Sequence, residues 1–259
     1  MPIHTNQEMT MRWITMLYAA GAYLLFWLCS VYLIGFTADF LVPRTLNRGP
    51  VSETGLALLI NAGLILLFGA QHSFMARQGF KRWCRRWLPE PMERSTYVLL
   101  SSLMLGLLYW GWRPLPQTLW LVEGGGAVAL WVLFGLGWAL VVHATFLISH
   151  GELLGLSQAY RHLRGRAFCE VGFRTPGLHR IVRHPLMLGL LLAFWAPPHM
   201  TVGHLLFAAG MTLYIVIGIH FEERSLVRAF GDRYLAYRAS TPMLLPSLKT
   251  LHRWRASRS

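Results

Sequence analysis

Arg183-His184-Pro185 opens one apolar run, and Glu222-Glu223-Arg224 closes the next. Ionisable groups at the ends of membrane-length apolar runs are expensive to place and mark function. Glu222 and Glu223 are the only adjacent acids in the chain. They admit two readings. One is exposed salt bridging to Arg224 or Arg228, worth about 0–1 kcal/mol. The other is a carboxylate that holds a cationic ligand group. Pro185 suits the first turn of a helix, which sets Arg183 and His184 beside a helix N-terminus, where an anionic group is favoured. Glu223, Val227, Phe230, Tyr234 and Tyr237 recur at spacings of 4, 3, 4 and 3. That spacing predicts one stripe on a single cytoplasmic helix beginning after Phe221. With Met243, Leu244, Leu245 and Pro246, its two tyrosines offer an aromatic and apolar slot for a flat ring. The triple glycine Gly124–Gly126 follows no predicted strand, so it is not read as a phosphate loop. Any nucleotide site must therefore be built from helix ends and the tail.

The elements that position these residues are membrane helices. The chain is 54% hydrophobic and 14% charged, and several apolar runs approach the 18 residues that signal a bilayer span. Helices are predicted at about 13–36, 53–75, 95–112, 127–149 and 201–220, with a shorter run from Pro185 to Ala196. The first run is too long for a signal-peptide core and reads as a retained helix. The short run gives only about 18 Å of helix against a hydrocarbon core of roughly 30 Å. It must either begin earlier, at Arg183 and His184, or turn back inside the membrane. Trp110 and Trp112 read as an outer aromatic belt. The expectation is an all-α polytopic protein: about six transmembrane helices, a cytoplasmic C-terminal helix, and one domain over 1–259.

Charge sets the orientation. The net charge is +13, with 24 Lys and Arg. Arg12, the stretches 76–94 and 150–185, and the region after residue 220 hold all but Arg44, Arg48 and Arg113. By the positive-inside rule both termini and the two long loops are cytoplasmic, and nucleic acid is not needed to explain the charge. The loop 76–94, with Trp83 and Trp87 among its arginines, reads as an interfacial segment. The loop 150–182 is long enough to cover a site. Cys29, Cys84 and Cys169 form no Cys-x-x-Cys pair, so no metal site is indicated.

Taken in order, Arg183-His184-Pro185-Leu186-Met187-Leu188-Gly189, an apolar hairpin, Glu222-Glu223, Phe230-Gly231-Asp232, Tyr234, Tyr237 and the late Pro246 resemble the C-terminal region of the membrane-bound isoprenylcysteine carboxyl methyltransferases. The resemblance covers about 178–246. Met187 stands where that family usually has Tyr. The resemblance implies S-adenosylmethionine as cofactor, held by Arg183, His184, Pro185, Met187, Gly189, Glu222, Glu223, Tyr234, Tyr237 and the segment Met243–Pro246. A carboxylate there suits the cofactor's sulfonium and ammonium, and Arg183 suits its carboxylate.

A longer likeness runs over about 55–246. Gln71-His72-Ser73, Glu93 through Leu100, Trp112-Arg113-Pro114, Ile148-Ser149-His150 and Thr201 through Phe207 look like bacterial methanethiol S-methyltransferases. That likeness implies methylation of methanethiol, a small thiol, to dimethyl sulfide, in a multi-pass protein of the bacterial inner membrane. The thiol needs a base during attack. His150 is the candidate, with Glu152 as its orienting group, while Arg183 could instead lower the thiol's pKa by its charge. Two alternatives are a prenylcysteine carboxylate or lipid amine as substrate, and a haem-binding or redox-linked membrane protein using His72 and His143. Interhelical hydrogen bonding is the simpler use of those histidines.

Overall fold

The computed structural model describes residues 2–166 and 172–247. Cys169 and the last four cationic residues, Lys249, Arg253, Arg255 and Arg258, lie outside them. The described residues are mostly helical, and the chain separates into two compact units, residues 1–115 with 149–170, and residues 116–148 with 171–259. Among the described residues four helices are long and apolar enough to cross a membrane, so the chain is an integral membrane protein.

In the first unit, α1 (Pro2–Ala38), α2 (Thr54–Met75) and α4 (Glu90–Gly111) form the long elements, with α3 (Gln78–Cys84), α6 (His150–Leu153) and α7 (Leu156–Leu163) as short ones. α4 packs on both α1 and α2, and α7 packs on α1 and α4. α1 starts eleven residues before the expected Trp13. Its polar N-terminal turns contain no helix breaker and carry an i,i+4 pair, Glu8 with Arg12 at 3.9 Å, of the kind that supports a solvated helix. At 37 residues it is about 55 Å long, well beyond the bilayer core.

Asn61 is fully buried on α2 and closes the end of α4 with two bonds. Its Nδ2 donates to the Arg113 carbonyl at 2.7 Å, and its Oδ1 accepts from the Arg113 amide at 2.8 Å. The expected aromatic belt is only half present. Trp110 is exposed beneath the Arg44 guanidinium, but Trp112 is 1% exposed and donates its indole N–H to the Leu46 carbonyl at 3.2 Å. A residue two positions on from a lipid-facing one turns inward because α4 ends between them, with Trp112 as its C-terminal cap.

In the second unit, α5 (Gly124–Ile148), α8 (Pro185–Trp195), α9 (Val202–Phe230) and α10 (Asp232–Ser240) are joined by a 3-10 turn at Gly177–Arg180 and a two-stranded antiparallel ribbon, β1 (Thr118–Leu121) with β2 (His199–Thr201). The ribbon departs from a purely helical reading, and it places a strand just before Gly124–Gly126. The glycines are followed by Ala127-Val128-Ala129 and not by the Gly-Lys-Ser/Thr of a phosphate loop, so that reading stays excluded.

α8 begins at Pro185 and is 11 residues long, about 17 Å. It does not extend back through Arg183 and His184, and it is too short to span the core. Its last turn is held by buried His204, whose Nε2 lies 2.9 Å from the Phe194 carbonyl. α8 lies directly against α5 through glycine. A Cβ on Gly189 would meet the Gly137 carbonyl oxygen at 2.7 Å, and one on Gly137 would meet the Gly189 carbonyl oxygen at 2.8 Å. Small residues allow this backbone approach.

The largest departure concerns the tail. α9 does not stop at His220 but runs unbroken to Phe230. The break comes at Gly231, whose φ of +54° favours glycine. The predicted single stripe is therefore divided, with Glu223, Val227 and Phe230 on α9 and Tyr234 and Tyr237 on α10. The loop 150–182 also differs from an unstructured cover, since it contains α6, α7 and the 3-10 turn.

Candidate functional site

In the second unit the sequence-predicted residues meet around Glu223. Pro185 ends the extended stretch before α8, and that stretch is tied to the tail by main-chain bonds. The Arg183 amide donates to the Pro242 carbonyl at 2.9 Å and the His184 amide to the Met243 carbonyl at 3.1 Å. This aims both side chains at α9. Arg183 Nε donates to Glu223 Oε1 at 2.7 Å, and Arg183 Nη1 donates to the Arg238 carbonyl at 3.1 Å and the Thr241 carbonyl at 2.5 Å. His184 Nε2 lies 3.1 Å from the same Glu223 oxygen. An ionised carboxylate only accepts, so that nitrogen carries the proton.

Burial separates the two acids. The Glu223 side chain is 11% exposed and that of Glu222 is 50% exposed. Glu222 Oε2 stands 3.6 Å from His184 Nδ1, beyond hydrogen-bond length. Arg183 and His184 both act on Oε1 of Glu223. Its Oε2, like Arg183 Nη2, has no hydrogen bond among the described residues. The second Glu223 oxygen could accept from a cation and the second Arg183 nitrogen could donate to an anion.

The aromatic wall reassembles across the Gly231 break through Phe173. Its ring lies 5.3 Å from Phe230, 5.7 Å from Tyr234 and 5.4 Å from Tyr237. Phe173 was not a sequence candidate; an aromatic in a long polar stretch was its only signal. Tyr237 donates to the His179 carbonyl at 2.6 Å. The Tyr234 hydroxyl is buried with no partner among the described residues. Burial, then the Glu223 charge, pushes its phenol up to about 12, so it stays a neutral donor. A buried hydroxyl with no partner among the described residues is a donor free to meet a ligand acceptor.

The remaining candidates divide. Pro185 is buried, Met187, Met243 and Leu244 are half-buried, and Leu245 and Pro246 are exposed. Gly189 belongs to the α5–α8 packing rather than to this cluster.

In the first unit, His150 is set at the start of α6 by Ser149, a non-glycine residue at φ +99°. Such strain clusters at functional positions. The His150 ring is mostly buried, and burial lowers its pKa. Its Nε2 lies 3.1 Å from the Tyr23 hydroxyl of α1, and Trp27 is tilted over the ring at 5.5 Å. The structure thus supplies Tyr23 as an orienting group. The expected one, Glu152, directs its carboxylate to Arg161 at 3.8 Å. His72 has Ser101 Oγ at 3.1 Å on Nδ1 and Tyr97 Oη at 2.5 Å on Nε2. Both ring nitrogens are thus taken up between helices, which leaves none to ligate haem.

The chain's profile matches the family described as NnrU protein over residues 59–254. It is 52% identical over 236 residues to the methanethiol S-methyltransferase of Mycobacterium tuberculosis (strain ATCC 25618 / H37Rv), covering 91% of this chain and 97% of that protein. It is 51% identical over 209 residues to the methanethiol S-methyltransferase of Pseudomonas deceptionensis, covering 80% of each. A more distant relative is nurim of Sus scrofa, 31% identical over 175 residues, with 63% of this chain and 66% of that protein covered. No solved structure matches the chain significantly.

Proposed function

We propose that this chain, which belongs to the NnrU protein family together with the methanethiol S-methyltransferases, methylates methanethiol to dimethyl sulfide with S-adenosylmethionine as donor. The relatives supply the substrate. The observation that carries the donor is the buried Glu223 carboxylate, saturated on Oε1 by Arg183 and His184 and open on Oε2.

S-adenosylmethionine supplies an electrophilic methyl group on a sulfonium. Glu223 would take its ammonium, and Arg183 Nη2 with the Leu186 and Met187 amides of α8 would take its carboxylate. The Phe173–Tyr234–Tyr237 wall suits adenine, with the orphaned Tyr234 hydroxyl as a donor to it. Glu222 lies at the rim. On the thiol side, His150 accepts the thiol proton. Its burial keeps the imidazole neutral near pH 7, ready to act as a base, and Tyr23 and Trp27 fix its ring. Most of the acceleration comes from positioning, since direct transfer needs no covalent enzyme intermediate.

Both compact units serve one methyltransferase of the bacterial inner membrane. The distribution of Lys and Arg supports cytoplasmic termini, and α4 and the short α8 would bring the membrane-inserted helices to six, α8 entering the core without crossing it on its own. Headspace chromatography of the purified protein in lipid nanodiscs, given methanethiol and S-adenosylmethionine, tests the reading. Dimethyl sulfide is expected. Its absence, with a prenylated cysteine methylated instead, would overturn the substrate.

A further inference from the structure

Two of the segments singled out in the sequence, Gln71–Ser73 and Glu93–Leu100, lie outside the Arg183–Glu223 cluster and take no part in it. In the fold they meet. The His72–Tyr97 bond at 2.5 Å joins α2 to α4, Ser101 holds the other side of the imidazole, and the Arg94 guanidinium lies 5.0 Å over the Tyr97 ring. Arg94 Nε donates to the Leu153 carbonyl at 2.6 Å, which ties this corner to α6.

Beside the network, and sharing Tyr97 and Arg94 with it, is a cavity of about 20 Å³. On the same measure one water needs roughly 10–15 Å³, so this space suits a guest of about two non-hydrogen atoms. Met75, Phe80 and Cys84 give it apolar and polarisable walls, while Lys81 and Arg94 bring positive charge. Glu93 balances part of that charge, at 4.0 Å from Lys81. Sulfur-bearing and aromatic walls favour a polarisable guest, and cations beside it favour the thiolate over the thiol.

From this juxtaposition we infer that the α2–α3–α4 cavity admits the small thiol and sets substrate size ahead of transfer at His150, with Tyr97 as the polar contact and His72 as the residue that positions it. The inference rests on the proposed methylation of a thiol and adds where the thiol is selected.

The test measures kcat/KM for methanethiol and ethanethiol in wild type, Met75→Ala and Phe80→Ala. One methylene in an apolar pocket is worth about 10–200-fold in selectivity. Opening either wall should raise the ethanethiol-to-methanethiol ratio at least about 10-fold. Tyr97→Phe, which keeps the ring, should raise KM for methanethiol more than it lowers kcat. His72→Gln should show the same bias more weakly. A wild type that makes dimethyl sulfide, with unchanged ratios in whichever wall variant keeps its helix content, would overturn this site and leave the proposed function standing. A wild type that makes none would overturn the function itself.

Discussion

Arg183 Nε and Glu223 Oε1 lie 2.7 Å apart across 40 residues of sequence, with side chains only 10% and 11% exposed. Taking two charges out of water costs several kcal/mol per ion, so the pair is sustained only by further contacts. Arg183 has them in two tail carbonyls, and Glu223 has one in His184. The pair is thus a fixed dipole, and one of its donors and one of its acceptors make no hydrogen bond among the described residues.

Glu223→Gln should therefore weaken binding of S-adenosylhomocysteine about 100-fold or more, since breaking a buried pair costs about 3–5 kcal/mol. Glu222→Gln should change it less than about fivefold, because its carboxylate is half exposed and screened. Isothermal calorimetry on both variants decides this. Equal and small effects would show that neither acid meets the ligand.

His150→Ala should lower turnover by about 10²–10⁴-fold, with much of the loss recovered at high pH, where the thiol ionises unaided. Tyr23→Phe should lower it less and leave S-adenosylhomocysteine binding intact. An unchanged rate in His150→Ala would remove His150 as the base and make Arg183 the next residue to change.

The same burial of His150 bears on stability. Its pKa in the fold lies below the ordinary 6.5, so the unfolded chain binds the proton more readily. The contribution is present in full above pH 6.5 and is lost as pH falls through the lowered folded value. Thermal melts from pH 8 downward should show wild type losing stability below about pH 6.5 more steeply than His150→Gln. Parallel curves would place the acid sensitivity elsewhere.

Gly189→Ala should destabilise the protein. The added methyl group would meet the Gly137 carbonyl oxygen at 2.7 Å and the Val141 amide nitrogen at 2.9 Å, both backbone atoms. Overpacking of this kind costs about 1–3 kcal/mol. A lower melting temperature is expected, with ligand affinity normal in the fraction that remains folded. Lost affinity at an unchanged melting temperature would return Gly189 to the cofactor site.

A chain ending at Ser240 keeps α9 and α10 but loses the carbonyls of Thr241, Pro242 and Met243, which hold Arg183 and His184. It should lose S-adenosylhomocysteine binding while keeping its helix content by circular dichroism. Retained affinity in the shortened chain would show that Glu223 alone orients Arg183.

The sequence made the apolar runs, the short helix after Pro185 and the cluster at Arg183, His184 and Glu223 readable because each depends on local composition or periodicity. What escaped it depends on contacts between distant residues. Trp112 faces inward because Leu46 offers a carbonyl there, which no local pattern reports. The Glu223–Tyr237 spacing fits one helix, yet Gly231 at positive φ divides it, and only Phe173, from another segment, brings the aromatic residues back together. Tyr23 lies 127 residues from His150, while Glu152, two positions away, looked the nearer partner. The ribbon of Thr118–Leu121 with His199–Thr201 is too short for alternation to show.

The bonds from residues 183 and 184 to the carbonyls of residues 242 and 243 are made by main chain alone. A latch of that kind is blind to side-chain identity and sensitive to length. Replacing Met243 or Leu244 with residues of other shapes would leave both bonds in place. Deleting a single residue between Ser240 and Met243 would offer Arg183 the wrong carbonyl and turn its side chain away from Glu223. Among variants of this protein, the tail should therefore tolerate exchange and reject insertions or deletions.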